Sequence, residues 1–440
     1  MFTFTKKMAV LGTLVLSLVA SGCSSSPSSG EGQSAPNSSE EGKVELKLLH
    51  KWPQPQYAPY FEEVIKEFEN QNPSITVKVE AVADEPMKDK LRVIMGGGSV
   101  PDIMFSWSGE FARKFVRSGA AMDLTEALNA DPEWKKGFIP ASLQPFVSDG
   151  KNYGVPLRFN GKFFVYNKEI FDKHQLQKPK TWEEFLQLLD KLKQAGKTPI
   201  ILGNASPWAA IHYLTGLNQK MVPDDVRAKD YNPGTGEFTD PGYIKALQYL
   251  KDLKDKGYFN DNINSSSHDM ATQMFFAGKG AMMYVELEEF QEAQKNMQVP
   301  FDFFPMPAIP EGKGNQNYIT GAPDGFIVSS KTQHPKEAIA FLKFLTSKQN
   351  AEKLVKQIGW PSPIVGATNP DTALKQVAEA VEMMKSAEGM AEWLDTDVHA
   401  KIADTYLSNI QLLLDGTKSP EEIMQEVQGV AQEVNQEVKQ

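Results

Sequence analysis

The stretch Tyr153-Gly-Val-Pro-Leu-Arg-Phe-Asn-Gly-Lys-Phe-Phe-Val-Tyr-Asn-Lys168 joins a Gly-X-Pro step to a run of strand-forming residues, Lys162–Asn167. Pro156 fixes its own φ and biases the residue before it toward extended backbone. Gly161 lets the chain bend or approach another group closely. The local pattern leaves two interpretations open: an edge strand and turn within one large domain, or a crossing between two lobes. In the second interpretation three residues face a cleft: Arg158, Phe159 and Asn160.

Upstream of this stretch, strand patterns alternate with helix patterns. Alternating apolar residues predict strands near 44–48 and 75–79, and a short apolar run predicts a third near 100–105. Apolar residues at helical spacing predict helices over 61–68 and 87–94. The order strand, helix, strand, helix, strand indicates a parallel α/β sheet.

Downstream, helix signals dominate. Thr181-Trp-Glu-Glu184 has the form of a capping box, Asp240-Pro241 opens a second helix, and Ser419-Pro-Glu-Glu422 caps the last one. Phe326-Ile-Val328 predicts a strand ahead of a helix over 334–345. The predicted fold class is α/β, with a helix-rich C-terminal third.

The N-terminus has the organisation of an export signal. Lys6 and Lys7 precede the apolar run Met8–Ala20, which reaches only about 20 Å as a helix and is too short for a comfortable membrane span. We predict a signal peptide over 1–22 and, from its Ser, Gly, Pro and Asn content, a flexible tether over 23–42.

Cys23 is the only cysteine, so a disulfide within the chain is excluded. Its position behind Ala20-Ser-Gly22 resembles the bacterial lipobox, although leucine is commoner where Ala20 stands. The resemblance implies lipidation of Cys23, including palmitate, and a protein anchored on the extracytoplasmic face of the cell membrane. The alternative is a signal peptide cleaved elsewhere and a cysteine without a role.

Composition and motifs narrow the function classes. The formal net charge is −10, which argues against binding of nucleic-acid phosphates. The six histidines are far apart and form no His-Glu-x-x-His motif, so no metal site or cofactor is expected. There is no Walker A motif and no Gly-x-Ser-x-Gly elbow.

Several stretches in order resemble the extracellular solute-binding proteins of carbohydrate ABC importers, the maltose-binding-protein-like group. They are Gly98-Ser-Val-Pro-Asp-Ile103, Tyr153-Gly-Val-Pro-Leu157, Tyr166-Asn-Lys-Glu-Ile-Phe171, Pro179-Lys-Thr-Trp-Glu-Glu184, Phe276-Ala-Gly-Lys-Gly-Ala-Met282, and Ser329-Ser-Lys331 with Ala338-Ile-Ala-Phe-Leu-Lys-Phe-Leu345. The resemblance covers nearly all of the chain after the tether. It implies a two-lobed periplasmic-binding-protein-like fold, each lobe a sheet flanked by helices.

The resemblance also implies discontinuous lobes joined by crossing segments, with the ligand held between them. Lobe 1 is expected over 44–157 and 303–346, and lobe 2 over 158–302 and 347–440. The opening stretch then contains the first crossing, and Phe301–Pro307 the second.

A neutral sugar requires aromatic platforms and side chains that make bidentate polar contacts, and such groups follow strand ends in α/β sheets. In lobe 1 the candidates are Trp52, Glu85, Trp107, Glu110 and Asp324. Trp107 stands between two serines and a glycine and is favoured as a platform. Alternatives stay open for the other four: Trp52 as core, Glu85 as a solvated charge, Glu110 as a first-turn carboxylate, and Asp324 as a turn residue before Gly325.

The remaining candidates belong to lobe 2 in the predicted division: Arg158, Asn160, Trp208, His212, Glu286, Trp360, Trp393 and Asp395. For Trp360 and Trp393, core packing is the alternative. Many members of the resembled group carry a Gly-Trp pair where this chain has Glu286-Leu287-Glu288, so one expected platform is missing.

These features favour a non-enzymatic, monomeric binding lipoprotein that captures a carbohydrate, a short oligosaccharide, and delivers it to the permease of an ABC importer. Two alternatives remain. A glycosidase uses the same residue types and needs two carboxylates about 5–10 Å apart. A sensor would present its ligand-bound form to a membrane kinase.

Overall fold

The computed structural model describes residues 43–97 and 100–439. The predicted signal peptide, the tether and Cys23 lie outside the described residues, and Gly42–Gln440 forms one compact unit. The strands are β1 Val44–His50, β2 Ile75–Ala81, β3 Ile103–Trp107, β4 Val147–Ser148, β5 Lys151–Asn152, β6 Val155–Phe159, β7 Lys162–Asn167, β8 Ile200–Ile201, β9 Met282–Glu286, β10 Phe301–Phe304, β11 Ile319–Thr320, β12 Pro323–Val328 and β13 Met390–Ala391.

Helices fill most of the remaining chain. They are α1 Ala58–Gln71, α2 Asp84–Met95, α3 Glu110–Arg117, α4 Thr125–Ala130, α5 Pro132–Lys136, α6 Pro140–Leu143, α7 Lys168–Lys173, α8 Trp182–Gln194, α9 Trp208–Met221, α10 Asp224–Tyr231, α11 Pro241–Asp255, α12 His268–Phe276, α13 Phe290–Asn296, α14 Pro335–Leu345, α15 Lys348–Ile358, α16 Lys375–Ser386, α17 Leu394–Asp397, α18 Ala400–Leu414 and α19 Pro420–Val438. Short 3₁₀ turns cover Gln144–Phe146, Ile263–Ser265 and Leu287–Glu289.

Two sheets organise these elements. The first has the order β2-β1-β3-β12-β6, with β1 parallel to β2 and β3, and with β12 antiparallel to both β3 and β6. The second has the order β10-β7-β9-β8. We use lobe 1 for the first sheet with the elements packed on it, and lobe 2 for the second sheet with its own.

Each sheet has its own apolar core. In lobe 1, Leu46 and Leu48 of β1 and Val64 and Phe68 of α1 belong to one buried core, as the alternating and helical spacings of these residues predict. In lobe 2, Phe164 of β7 belongs to a core that continues into helices α8, α9, α11, α18 and α19. A further apolar cluster packs the opposite face of the second sheet against α16.

The local helix signals correspond to observed ends. Thr181 caps α8 in a complete capping box, Ser419 does the same for α19, and the Asp240 carboxylate accepts the Gly242 N–H at the start of α11. These caps satisfy backbone donors that the first helical turn leaves unpaired.

The chain crosses from lobe 1 to lobe 2 at Asn160-Gly161, between β6 and β7, and returns near Gly321, between β11 and β12. The two crossings touch, because a Cβ on Gly321 would lie 2.4 Å from the carbonyl oxygen of Asn160. Strand β10, at 301–304, pairs with β7 in lobe 2, and α15 packs in the core of lobe 1. The division expected from the sequence instead places residues 303–304 of β10 in lobe 1 and all of α15 in lobe 2.

Candidate functional site

A cavity of about 550 Å³ lies between the two lobes, at the ends of β1, β3 and β9. We call it the interlobe cavity. Most of the candidate residues named from the sequence line it: Trp52, Trp107, Arg158, Asn160, Trp208, His212, Glu286, Asp324, Trp360, Trp393 and Asp395. Side chains that are far apart in sequence are thus brought to one site.

Two candidates are not among the lining residues. Glu85 lies in α2, and its side chain falls outside the described part of the chain. Glu110 is fully buried at the start of α3, where it accepts hydrogen bonds from Arg113 and Arg117, and it lines a second cavity instead. Its placement in the ligand cleft is therefore corrected: the first-turn interpretation describes it better, since helix dipole and arginines stabilise the carboxylate there.

One end of the interlobe cavity is a cluster of aromatic rings. The ring centroids of Trp52 and Trp360 are 4.9 Å apart, and Tyr57 lies 4.6 Å from Trp360. Trp52 also packs edge-on against Phe105 of the lobe 1 core. Both interpretations of Trp52 therefore apply, because one edge fills the core while the other lines the cavity.

Arg158 organises the charges beside these rings. Its guanidinium carbon lies 4.7 Å from the Trp360 ring centroid, a cation–π distance. The same group donates to both carboxylate oxygens of Asp324 and forms an ion pair with Glu288. Asp324 lies within β12, so the turn interpretation of this residue is wrong. The ion pairs fix the guanidinium in place and leave its flat face toward the rings.

Two lysines of lobe 1 surround Trp107. The ammonium group of Lys51 lies 4.9 Å from the Trp107 ring centroid and 2.6 Å from Asp84 Oδ1. The Lys88 ammonium lies 5.8 Å from the same ring and 3.6 Å from Asp395 Oδ2 of lobe 2. The Lys88–Asp395 contact is thus an electrostatic link across the cavity.

The lobe 2 side is built around His212 of α9. Its imidazole stacks on Trp393, with centroids 4.1 Å apart and an interplanar angle of 19°, and its Nδ1 lies 2.9 Å from Lys162 Nζ. Burial, and then the Lys162 charge, lowers the pKa of His212 well below its usual value. An ammonium group only donates, so Nδ1 of this neutral imidazole accepts, and Nε2, which lies 3.8 Å from Asp395 Oδ1, carries the proton.

Carboxylates occupy the floor of the cavity. Glu286, at the end of β9, accepts a hydrogen bond from Asn160 Nδ2 at 2.5 Å, and burial raises its pKa. His268 and Glu289 form a second pair, Nε2 to Oε1 at 2.7 Å. Burial followed by the Glu289 charge raises the pKa of Glu292. This part of the cavity is a dense set of hydrogen-bond acceptors.

Three polar atoms of the cavity residues have no hydrogen-bond partner among the described residues: Trp52 Nε1 of lobe 1, and His268 Nδ1 and Asp395 Oδ1 of lobe 2. A buried donor or acceptor without a partner costs about 1–3 kcal/mol. Trp52 Nε1 donates and Asp395 Oδ1 accepts, which matches the two capabilities of a hydroxyl group. The cavity thus offers unused hydrogen-bonding capacity on both lobes.

Sequence reasoning missed several cavity residues. Lys51 stands next to Trp52 after β1 and could have been named from that position. Lys88, His268 and Glu292 have no such signal, because they lie on helix faces whose orientation depends on tertiary packing. Lys162 occurs inside an apolar strand pattern that gives no sign of a buried charge. Its ammonium group is accommodated by the His212 imidazole and the Glu286 carboxylate, which only the tertiary structure brings near.

The arrangement suits reversible binding. Aromatic faces, paired charges and unpaired hydrogen-bonding atoms converge from two lobes on one space. Across 43–97 and 100–439, no group of three or more His, Cys, Asp or Glu side chains has a metal-holding arrangement. Within the same residues, no helix combines the length and the apolar character needed to cross a membrane.

The fold and the cavity together define a two-lobed periplasmic solute-binding architecture. A solved structure of a chitin oligosaccharide binding protein superimposes with a TM-score of 0.81 and 27% sequence identity, covering 89% of this chain and 99% of that chain. The family model for bacterial extracellular solute-binding proteins matches residues 52–352. The chain belongs to this family.

Two curated relatives are similar over most of their length. An uncharacterized ABC transporter extracellular-binding protein of Pyrococcus horikoshii is 27% identical over 350 residues, 78% of each chain. The multiple sugar-binding protein of Streptococcus mutans is 26% identical over 377 residues, 82% of this chain and 83% of the relative. The resemblance to extracellular solute-binding proteins is thereby confirmed.

Proposed function

We propose that this protein captures an extracellular carbohydrate, a short oligosaccharide, between its lobes and delivers it to the permease of an ABC importer. The observation that carries the proposal is the lining of the interlobe cavity, to which five of the seven tryptophans contribute: Trp52, Trp107, Trp208, Trp360 and Trp393. Sugar rings present flat C–H faces that stack on such platforms. Unpaired Trp52 Nε1 and Asp395 Oδ1 would then bind ligand hydroxyls.

The charges of the cavity support a neutral ligand over an anionic one. Eight carboxylates line it, against three lysine or arginine side chains. The carboxylates are Asp84, Asp269, Glu286, Glu288, Glu289, Glu292, Asp324 and Asp395, and the cations are Lys51, Lys88 and Arg158. A phosphate group would lose solvation beside this surplus of negative charge without gaining a free cation.

The names of two similar proteins support the same direction, since one is a chitin oligosaccharide binding protein and the other a multiple sugar-binding protein. We further propose that the protein is a monomer held at the membrane by a lipid on Cys23, with residues 23–42 as the tether. In this arrangement the two lobes close on the ligand, and the closed form is what the permease distinguishes.

We also propose lobe boundaries adjusted to the observed packing. Lobe 1 would comprise 44–159, 322–346 and α15, and lobe 2 would comprise 162–320 and the chain from α16 onward. Asn160-Gly161 and Gly321 then form two of the crossing segments. A rotation at these positions would open the interlobe cavity to solvent.

The test uses residues 24–440, which lack the predicted signal peptide and Cys23 but retain the whole compact unit. Thermal unfolding and tryptophan fluorescence are recorded against oligomers of glucose, galactose, xylose and N-acetylglucosamine, with glycerol phosphates and amino acids as controls. We expect one oligosaccharide class to raise Tm saturably and to change the fluorescence. No response to any sugar would contradict the proposal.

Mass spectrometry of the recovered sugar separates the remaining candidates. Intact sugar supports binding and delivery, whereas cleaved sugar indicates a glycosidase. Uptake of that sugar in cells lacking the protein separates import from sensing, because loss of a sensor leaves the permease able to receive ligand from another binding protein.

A further inference from the structure

Away from the ligand-lining residues, the lobes meet at a second set of polar contacts. On lobe 1 these involve Ser108 and Gly109 after β3 and Arg113 of α3. On lobe 2 they involve Glu392 and Asp397, before and within α17. Ser108 Oγ donates to Glu392 Oε2 at 3.0 Å, and Arg113 Nη2 donates to Asp397 Oδ1 at 2.8 Å. We call these five residues the closure contact.

Gly109 allows the lobes to approach this closely. A Cβ at this position would lie 2.6 Å from Asp397 Oδ1 and 2.7 Å from Glu392 Oε2, well inside van der Waals contact. Both carboxylates therefore pack on the bare Cα of Gly109. The backbone there has φ 68°, which glycine adopts without strain.

Two carboxylates so close together cannot both be ionised without repulsion. Burial, and then the charge of Asp397, raises the pKa of Glu392 to about 8, while Arg113 opposes the shift. The pKa of Asp397 is raised as well, again by burial first. Arg113 is thus shared among Glu392, Asp397 and Glu110, and it neutralises at most one member of the Glu392–Asp397 pair.

The other charged and titratable groups around the pair do not supply a second free cation. The guanidinium of Arg117 is engaged by Glu110, and that of Arg227 by Asp224. The groups that face the pair or border its cavity are Glu110, Arg113 and Arg117 of α3, Asp149 of the β4–β5 turn, and Arg227 and Tyr231 of α10. The surplus negative charge remains on Glu392 and Asp397.

We propose that the closure contact is a proton-dependent lock: a proton from solvent binds the Glu392–Asp397 pair when the lobes close and leaves when they open. The step adds one proton from solvent to one carboxylate oxygen of the pair, and no other bond forms or breaks. The inference rests on the proposed function only in assuming that the lobes open. Lower pH therefore favours the closed form, and with it retention of ligand.

The direction follows from linkage. In the open form Glu392 and Asp397 are solvated and ionise in the ordinary range, and in the closed form the pair holds a proton to higher pH. Closure is then most favourable below the open-form pKa and loses stability as pH rises toward about 8. For one proton the closing equilibrium changes by up to about tenfold per pH unit.

Interlobe distance measures closure without any ligand. Residues 24–440 contain no cysteine, so spin labels can be attached to cysteines introduced at two exposed lysines, Lys78 of β2 in lobe 1 and Lys245 of α11 in lobe 2. Distances are recorded by pulsed electron paramagnetic resonance at about pH 6 and about pH 8.5. We expect the short-distance population to be larger at the lower pH. Identical distributions at both pH values would overturn the proposal.

Glu392→Gln identifies the group responsible. Glutamine keeps an oxygen that accepts from Ser108 but cannot be charged, so the pH dependence should disappear and the variant should stay closed at about pH 8.5. The titratable groups of the interlobe cavity, including Glu286, Glu292 and His212, are unchanged in this variant. A pH dependence that persists in Glu392→Gln would assign the effect to them and overturn the lock.

Gly109→Ala and Gly119→Ala are compared. Both glycines have φ 68°, which disfavours alanine, and Gly109 adds ψ −143°, but a Cβ on Gly119 meets nothing within 4 Å. We expect Gly109→Ala to reduce the short-distance population at both pH values and Gly119→Ala to match the parent protein. Equal behaviour of the two variants would show that the close approach does not control closure.

These outcomes stay separate from the proposed function. If the distance measurement responds to pH as expected while no oligosaccharide binds, the lock stands and the ligand class fails. If an oligosaccharide binds and the distances ignore pH, the lock fails and the ligand class stands.

Discussion

The guanidinium of Arg158 donates two parallel hydrogen bonds to the carboxylate of Asp324, Nε to Oδ1 at 2.9 Å and Nη2 to Oδ2 at 2.5 Å. The two residues lie on the paired strands β6 and β12, and their side chains are only 4% and 8% exposed. The pair therefore serves two purposes: it holds the edge of the first sheet together and fixes the guanidinium beside the Trp360 ring.

Arg158→Ala should lower the free energy of unfolding by about 3–5 kcal/mol, because it leaves Asp324 and Glu288 without their shared cation in a buried setting. Chemical denaturation measures this. Lys168→Ala is the control, since the Lys168–Asp172 pair lies on an exposed helix face and contributes little. If both substitutions cost the same small amount, the buried pair has no structural role.

Trp107→Ala and Trp208→Ala should each weaken oligosaccharide binding at least tenfold, about 1.4 kcal/mol, because each removes a cavity wall. Titration followed by calorimetry gives the affinity. Trp182→Ala is the matched control: Trp182 is buried in the core of lobe 2, so this variant should lose stability and keep its affinity. Normal binding by both cavity variants would place the ligand elsewhere.

Trp52→Phe should weaken binding several-fold while changing Tm little. The ring remains to pack against Phe105, and the lost Nε1 donor has no partner within the described structure. A net hydrogen bond contributes about 0.5–1.5 kcal/mol, which sets the expected loss of affinity. Calorimetry and thermal unfolding are compared for the two proteins. A large fall in Tm with unchanged affinity would assign Trp52 to the core alone.

The stability of the unliganded protein should depend on pH through Glu392. Its pKa is raised to about 8 in the folded chain, from an ordinary value of 4.5, so the stabilising contribution is complete below 4.5 and is lost as pH rises toward 8. Wild-type protein should therefore lose unfolding free energy relative to Glu392→Gln between about pH 5 and pH 8. Parallel curves for the two proteins would show that Glu392 ionises normally.

Sequence patterns were informative wherever one element determines its own conformation. The alternation in Val44–Leu48, the helical spacing from Phe61 to Phe68 and the capping signals at Thr181 and Ser419 correspond to observed elements. Such signals arise from backbone and neighbour interactions, which need no knowledge of the rest of the fold.

Contacts between segments that are distant in sequence were harder to predict from sequence patterns. The position of β12 between β3 and β6, and the pairing of Glu392 with Ser108, depend on tertiary packing that periodicity does not encode. Strand-end positions nevertheless identified part of the cavity lining, including Trp52, Trp107 and Glu286, because side chains at carboxyl ends of strands converge. Glu110 failed this rule because its helix carries two arginines that engage the carboxylate.

The place of β12 in the first sheet sets an order of assembly. The strands of the second sheet are all contained in residues 162–304, whereas the first sheet lacks an interior strand until residues 323–328 are available. More than 160 residues separate β6 from β12. In a chain that emerges N-terminus first, β1, β2, β3 and β6 are therefore synthesised well before the strand that completes their sheet. The sheet that begins first along the chain is completed after the other sheet, and any truncation before residue 323 leaves it without an interior strand.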